Sequence, residues 1–138
     1  NKIPIPDFKA YSKKKILSSW NLEWSYLENN KLHEIKAENK AWHPPYEISR
    51  KKQVCLTRLR IGHTNLTHVF LMKKENPPLC EICHEPVTME HILMKCPRLR
   101  FRPSNFPLSS VSEILKNDPD SVTVVLRFLK RNNFMRMI

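Results

Sequence analysis

The chain has 138 residues, and its 24 lysines and arginines exceed its 13 acidic residues by a formal charge of +11. This length is enough for one domain with a buried core, and 41% hydrophobic and 27% charged residues are typical of a globular chain rather than a disordered one. The single glycine, Gly62, excludes glycine-rich phosphate loops and dinucleotide fingerprints, and it argues against a turn-rich all-β fold.

The N-terminal part of the chain predicts one long helix followed by a connector. Between Asp7 and Asn29 the apolar residues recur at helical spacing and form one stripe, made of Ile16, Trp20, Trp24 and Leu27. Asp7 is the predicted N-cap, the Asn29-Asn30 pair is the predicted end, and both tryptophans are expected to anchor the core. Residues 31–48 are predicted to be irregular or partly extended, with a Pro-Pro pair that excludes a helix.

A second helix is predicted from its end signals. Ser49 is a suitable N-cap, the helix should run to Ile61, and Gly62 would occupy the C-terminal position that tolerates a left-handed conformation. The pattern turns three residues inward, namely Cys55, Leu56 and Leu59. It leaves three basic residues in water, namely Lys51, Arg58 and Arg60.

Three shorter helices are predicted further along the chain. The first should run from Asn65 to about Lys74 and bury Leu66, Val69 and Phe70. Ser110 and Glu113 form a capping box ahead of two apolar residues, Ile114 and Leu115. The last helix should end near Asn132-Asn133, and its apolar face is predicted to consist of Val122, Val125, Leu126 and Leu129.

The most specific chemical pattern lies between residues 79 and 97. Three cysteines and one histidine follow the spacing C-x2-C-x7-H-x4-C, at Cys80, Cys83, His91 and Cys96. Two cysteines three residues apart can bind one metal ion from a tight turn, and a site with four protein ligands is typical of structural zinc. Thr88 is the predicted N-cap of a short helix that carries His91. Pro97 biases Cys96 out of helical conformation, which brings it back toward His91.

Other interpretations of these residues remain open. A disulfide framework would recruit Cys55, and Cys80-x-x-Cys83-His84 also matches the attachment motif of c-type haem. His63 and His68 could join Cys80 and Cys83 in an HHCC zinc site, or the four thiols could bind no metal. If they are not ligands, His63 and His68 are expected to hydrogen-bond the backbone at a helix end. Cys55 is expected to be a small buried apolar residue.

The sequence therefore predicts a mainly α fold, a small helical domain of about five to six short helices with a zinc-stapled CCHC loop–helix element. We expect one structural Zn²⁺ ion. The expected parts are residues 1–76, an N-terminal helical part; residues 77–103, the zinc-binding segment; and residues 104–138, a C-terminal helical part, all within one compact unit. A structural zinc contributes on the order of 10–16 kcal/mol, so residues 77–103 should be ordered only with the metal bound.

Two long motifs resemble the polyproteins of non-LTR retrotransposons of the jockey and I type. The run from Leu56 to His68 (LTRLRIGHTNLTH) is similar to a signature that follows the ribonuclease H domain in that family, and residues 77–97 match its CCHC segment. The Trp20/Trp24 pair, residues 31–36 and residues 125–130 fit the same family, so the resemblance covers nearly the whole chain. The resemblance implies that this chain is the C-terminal region of a reverse transcriptase polyprotein, with Cys80, Cys83, His91 and Cys96 as the zinc ligands.

The resemblance also implies a function. The family copies element RNA into DNA, and its C-terminal CCHC region is thought to bind nucleic acid. The expected partners are RNA or DNA and the rest of the polyprotein, in the nucleus and also in the cytoplasm, with no role for a membrane. The chain is expected not to be an enzyme by itself, because its only aspartates, Asp7, Asp118 and Asp120, form no Mg²⁺-binding carboxylate cluster.

The charge supports a polyanionic partner independently of the resemblance. An excess of +11 favours phosphate contacts and is larger than solubility requires, although an anionic partner protein or plain surface charge remains an alternative. The residues expected to contact nucleic acid are Arg58, Arg60, Lys73, Lys74, Lys95, Arg98, Arg100 and Arg102. Two other functions remain open, namely a scaffold that docks on the polymerase body and a nuclease fragment that uses His63 or His68.

The apolar runs of the sequence are too short for a membrane span. Asn1 to Pro6 lack a signal-peptide core and an initiator Met, so we expect a segment of a longer polypeptide.

Overall fold

Helices dominate the secondary structure of the chain, as its sequence predicts. The computed structural model describes residues 4–97, 99, 101–107 and 109–138. Within these residues six α-helices, one π-helical segment and one 3-10 turn account for the regular structure, and extended pairing is limited to one bridge between Leu79 and Pro86. The mainly α fold class is confirmed. None of the described helices combines the length and the apolar character that a membrane span requires.

The chain divides into two compact units, residues 1–41 and residues 42–138. The first unit contains α1 (Ile5–Ser25) and the short α2 (Lys31–Ile35). The second contains α3 (Arg50–Ile61), α4 (Asn65–Lys73), the π-helical segment His91–Lys95, α5 (Val111–Ile114), α6 (Pro119–Arg131) and the 3-10 turn Phe134–Arg136. The three-part division of the sequence at residues 76 and 103 stays a prediction.

The ends of α1 differ from the prediction. The helix starts at Ile5 after Pro4, so Asp7 lies in its first turn instead of capping it. A carboxylate in the first turn still stabilises the helix through its interaction with the helix dipole. It stops at Ser25, four residues before the expected Asn29. Asn30 instead caps α2, because its side chain accepts a hydrogen bond from the Leu32 N–H at 2.9 Å. Part of the predicted irregular connector is therefore helical.

The apolar stripe of α1 is correctly periodic but is not a core. No residue of α1 is buried, and the side chains of Ile16 and Trp20 are 64% and 52% exposed. Trp24 is half-buried, because its indole Nε1 donates to the Lys36 carbonyl oxygen at 2.9 Å and its ring meets His33 edge-on. Trp20 has no such contact within the described part of the first unit and is mostly exposed, so the prediction that both tryptophans anchor the core is wrong.

Helix α3 matches its prediction closely. It begins after Ser49 and ends at Gly62, whose φ of 77° is the left-handed conformation that a residue without Cβ adopts at low cost. The N–H groups of Gly62 and His63 close the helix end on the carbonyl oxygens of Leu59 and Arg58. The three residues predicted to face inward are buried: Cys55, Leu56 and Leu59.

Helix α4 is held by its N-terminus more than by its apolar side chains. Thr64 and Thr67 form a buried reciprocal capping box, and the Thr67 hydroxyl also donates to the Gly62 carbonyl oxygen at 3.0 Å. Val69, expected in the core, is exposed, and Leu66 and Phe70 are only half-buried. The buried surface of this helix is narrow because it packs through its first turn.

The core of the second unit is built around α6. Asp118 caps this helix by accepting from the Ser121 N–H at 2.9 Å, and the four predicted inward residues, Val122, Val125, Leu126 and Leu129, are all buried. Ser110 caps α5, but the predicted capping box is not closed, because the Glu113 carboxylate contacts Ser109 and Lys116. Ile114 and Leu115 lie in the core with almost no exposure. The π-helical segment also contributes to this core, since Ile92 and Leu93 are buried.

Candidate metal centre

A tight loop carries the first two cysteines. Residues 78–87 fold back on themselves through the Leu79–Pro86 bridge, and the Cys80 N–H donates to the Glu85 carbonyl oxygen at 2.8 Å. The His84 N–H donates to the Cys80 carbonyl oxygen, also at 2.8 Å. His84 has a φ of 56°, a left-handed conformation that lets the chain reverse directly after Cys83. Cys80 and Cys83 are therefore placed by backbone hydrogen bonds within one loop.

A wide helical turn carries the other two residues. The Thr88 hydroxyl caps this segment by accepting from the His91 N–H at 3.1 Å, as predicted. The segment His91–Lys95 then winds as a π-helix, and the Cys96 N–H donates to the His91 carbonyl oxygen at 2.8 Å. Cys96 itself is extended, with ψ at 117° before Pro97. An ordinary α-helix would rotate Cys96 about 140° away from His91, so the wider winding and the extended end bring the two residues together.

The four residues form one cluster. One ligand atom from each of Cys80, Cys83, His91 and Cys96 lies within 4.8 Å of the other three, which is close enough for all four to hold a single metal ion. Cys80, His91 and Cys96 are buried, and Cys83 is half-buried. All four cysteines of the chain are free thiols, and the Sγ atoms of Cys80 and Cys96 lie 3.8 Å apart. The disulfide interpretation is therefore not supported by the structure.

The imidazole of His91 is oriented for ligation. Its Nδ1 lies 3.3 Å from a carboxylate oxygen of Glu85, and its Nε2 is buried without a hydrogen-bond partner among the described residues. A buried ring nitrogen without a partner is costly unless it binds something. Metal-ligating histidines typically present one nitrogen to the metal and the other to a carboxylate, so this arrangement fits a bound metal ion.

Backbone hydrogen bonds prepare Cys80 as a thiolate. The N–H groups of Cys83 and Ile82, and after them the His91 side chain, lower the pKa of Cys80 to about 6. Burial, followed by the neighbouring Cys80, raises the pKa of Cys83 to about 11. Thiolates in close proximity repel one another, so a cation at the centre of the cluster would relieve this repulsion.

The two histidines of the alternative HHCC site lie elsewhere. His63 and His68 stack on each other with ring centroids 3.8 Å apart, and His68 Nδ1 is 2.7 Å from the Thr67 hydroxyl. Among the described residues they join no group close enough to hold a metal ion. The expectation that their side chains hydrogen-bond the backbone at a helix end stays a prediction. Cys55 is buried as predicted, and burial raises its pKa.

Two of the arginines predicted to contact nucleic acid form hydrogen bonds within the protein. Arg60 donates to the carbonyl oxygens of Leu115 and Lys116, both at 3.1 Å, and its guanidinium lies 4.7 Å from the ring centroid of Trp42. Burial lowers its pKa. Arg58 donates to the carbonyl oxygen of Ile138 at 2.7 Å. Arg58 stays exposed, as expected, whereas the expectation that Arg60 remains in water is wrong, because the carbonyl oxygens at the end of α5 need donors.

Of the other six residues predicted to contact nucleic acid, the four that the structure describes differ in their surroundings. Arg102 donates to the carbonyl oxygen of Met94 at 2.9 Å, which ties the end of the π-helical segment to the following loop. Lys95 forms a surface ion pair with Glu90 at 3.1 Å. Lys73 and Lys74 are exposed. Arg98 and Arg100 lie outside the described residues.

A groove beside the cluster was missed by the sequence reasoning. It has a volume of about 560 Å³, and its lining includes Cys80, His91 and Cys96 together with Phe101 and Arg131. Phe101 is 64% exposed. Arg131 belongs to the solvent face of α6, opposite the buried valines and leucines. The periodicity that predicted the apolar face of this helix therefore also indicated its basic face.

Comparison of the chain with protein-family models, with curated proteins and with solved structures gave no match.

Proposed function

We propose that Cys80, Cys83, His91 and Cys96 bind one structural zinc ion. Two thiolates bound to one tetrahedral zinc at a Zn–S distance of about 2.3 Å lie about 3.8 Å apart, and the Cys80 and Cys96 sulfurs have this separation. Four protein ligands leave no position for a substrate or a reactive water. The zinc would therefore link the loop of residues 78–87 to the π-helical segment without taking part in a reaction.

On this basis we propose a non-catalytic module that binds RNA or DNA, as the resemblance to non-LTR retrotransposon polyproteins implies. The observation that carries the proposal is the closed cluster of three thiols and one imidazole on a strongly basic chain. Residues 42–138 alone contain 16 lysines and arginines against 8 acidic residues. In the parent polyprotein, an RNA-directed DNA polymerase, such a module would hold template or target strands during reverse transcription in the nucleus.

A second candidate function is an intramolecular scaffold that docks on the polymerase or ribonuclease H body. Two observations favour it. Arg58 and Arg60 already donate hydrogen bonds to backbone carbonyl oxygens of the protein. Helix α1 also leaves aromatic residues such as Phe8 and Trp20 more than half exposed, which is typical of a surface that contacts protein.

Binding of a labelled single strand across a salt series tests the two functions. The nucleic-acid module should bind at low salt, and the logarithm of its binding constant should fall linearly with the logarithm of the salt concentration. The zinc-free chain, prepared with a chelator, serves as the matched control and should bind more weakly because its loop is no longer held. An absence of binding by the zinc-loaded chain at low salt would leave the scaffold as the better explanation.

A further inference from the structure

The groove beside the metal centre has the shape of a small-ligand site. Its floor is apolar, since Ile92 and Leu99 are 4% and 6% exposed, and its volume of about 560 Å³ lies within the range of about 300–1,000 Å³ that is common for ligand pockets. Phe101 and Leu79 stand at its sides with 64% and 60% of their surface exposed. An aromatic ring exposed to this degree beside an apolar floor can accept another flat ring against its face.

Hydrogen bonds fix the side of the groove that carries Phe101. The Asn132 amide, at the end of α6, donates to the Phe128 carbonyl oxygen at 2.9 Å and to the Phe101 carbonyl oxygen at 3.4 Å. On the other side of Phe101, Arg102 donates to the carbonyl oxygen of Met94. The backbone of Phe101 is therefore held between the C-terminal end of α6 and the segment that carries His91, so the groove and the metal centre form one structure.

Among the described residues, the lining of the groove carries one cation and one anion, so it offers one place for an anionic group and favours a neutral group elsewhere. Arg131 lines the groove, and it continues an exposed basic face of α6 with Arg127 and Lys130. Glu81 also lines the groove, from the metal-binding loop. With zinc bound, three thiolates leave the centre with one net negative charge, so a neutral base is better placed over it than a phosphate. The phosphate is better placed at the rim beside Arg131.

We propose that this groove binds one unstacked nucleobase of a single-stranded RNA or DNA, with Phe101 stacking on the base and Arg131 contacting the adjacent phosphate. The proposal rests on the nucleic-acid function above and deepens it by naming the site and the form of the ligand. Stacking on an aromatic side chain and a phosphate contact to a nearby cation are the two interactions by which proteins hold single strands without reading their sequence.

The test measures fluorescence anisotropy of labelled 12-nucleotide oligouridine and oligothymidine with the full zinc-loaded chain. Phe101→Ala should weaken binding by at least about fivefold, the lower end for one stacked base, and leave the salt dependence unchanged. Met72→Ala is the matched apolar control, because Met72 is 87% exposed on α4 and does not line the groove, and it should bind as the wild-type chain does. Circular dichroism and the zinc content of each variant verify the fold.

The phosphate contact is tested with neighbouring charges on one helix. Arg131→Gln should reduce the slope of log binding constant against log salt by about one, whereas Lys130→Gln, which removes an equal charge outside the groove, should leave it unchanged. Equal effects of the two substitutions would overturn the role of Arg131.

A 12-nucleotide strand with abasic sugars separates stacking from phosphate contacts. The wild-type chain and Phe101→Ala should bind it equally and weakly, since the base that Phe101 contacts is absent. Two results would refute base binding in the groove while leaving the proposed function in place. One is binding that Phe101→Ala does not weaken, and the other is wild-type binding as tight on the abasic strand as on the normal one. Failure of the wild-type chain to bind any strand at low salt would overturn both.

Discussion

The imidazole Nδ1 of His91 lies 3.3 Å from the carboxylate of Glu85, and this contact leaves the buried Nε2 as the ring nitrogen available to a metal ion. Glu85 belongs to the loop that carries Cys80 and Cys83, whereas His91 begins the π-helical segment. The contact therefore joins the two parts of the candidate metal centre. It also selects the ring nitrogen that would bind a metal ion, because a carboxylate favours a proton on the nitrogen beside it.

Glu85→Gln should weaken zinc binding by about 10- to 100-fold, because the carboxylate that holds the orientation and tautomer of the ligating imidazole is lost. Competition with a chromophoric chelator measures the affinity. Glu90→Gln is the control, since Glu90 pairs with Lys95 on the surface and an exposed pair contributes little. Equal affinities for wild type and Glu85→Gln would show that the carboxylate does not support the metal.

Metal content should follow the cluster and not the stacked histidines. We expect elemental analysis to find one zinc per wild-type chain, none in Cys96→Ser, and one in His63→Ala. Removal of the zinc with a chelator should disorder residues 77–103, because a structural zinc contributes as much free energy as a small domain has in total. Amide chemical shifts of these residues would report the change, and retention of their native values without metal would contradict it.

Zinc affinity should rise with pH. At neutral pH Cys80, whose pKa is lowered to about 6, is already a thiolate, whereas Cys83, whose pKa is raised to about 11, must lose a proton to bind the metal. Each displaced proton makes the affinity increase about tenfold per pH unit, so we expect at least this slope between pH 6.5 and 8. Below pH 6 the slope should steepen, because Cys80 is then protonated as well. Calorimetry in buffers of different ionisation enthalpy counts the protons released, and a pH-independent affinity would refute the expectation.

His84→Gly should stabilise the zinc-loaded chain by about 0.5–1 kcal/mol. His84 has a φ of 56°, where Cβ clashes with the backbone, and glycine removes this clash at the cost of a more flexible unfolded chain. Urea denaturation in the presence of zinc measures the difference. His84→Ala keeps the Cβ atom and should give no such gain, so an equal gain in both variants would assign the effect to the imidazole instead.

Arg60→Met should lower the free energy of unfolding by about 1–3 kcal/mol, because the carbonyl oxygens of Leu115 and Lys116 would each lose a charged donor. Lys51→Met, an exposed charge on the same helix, should change it by less than about 0.5 kcal/mol. Urea denaturation again provides the measurement. If the two variants unfold alike, Arg60 is a surface charge after all, as its sequence pattern suggested.

Local signals predicted the boundaries of several helices and the membership of the metal cluster. Gly62, Ser110 and Thr88 act where the sequence places them, because a cap depends only on residues within one turn of itself. The C-x2-C spacing likewise confines Cys80 and Cys83 to one loop. The π-helical winding before Cys96 could not be read from the sequence, since it follows from the need to bring Cys96 to His91.

Exposure, in contrast, was decided by the tertiary structure. The stripe of α1 has the period of a buried helix, yet Trp20 is 52% exposed, whereas Trp24 contacts the segment that follows α1. Arg60 and Arg131 are both cations near helix C-termini, but one meets the carbonyl oxygens at the end of α5 and the other borders a groove. A sequence pattern records which residues share a face, whereas only packing determines what lies opposite that face, and the difference decides whether a side chain stabilises the fold or remains free to bind a ligand.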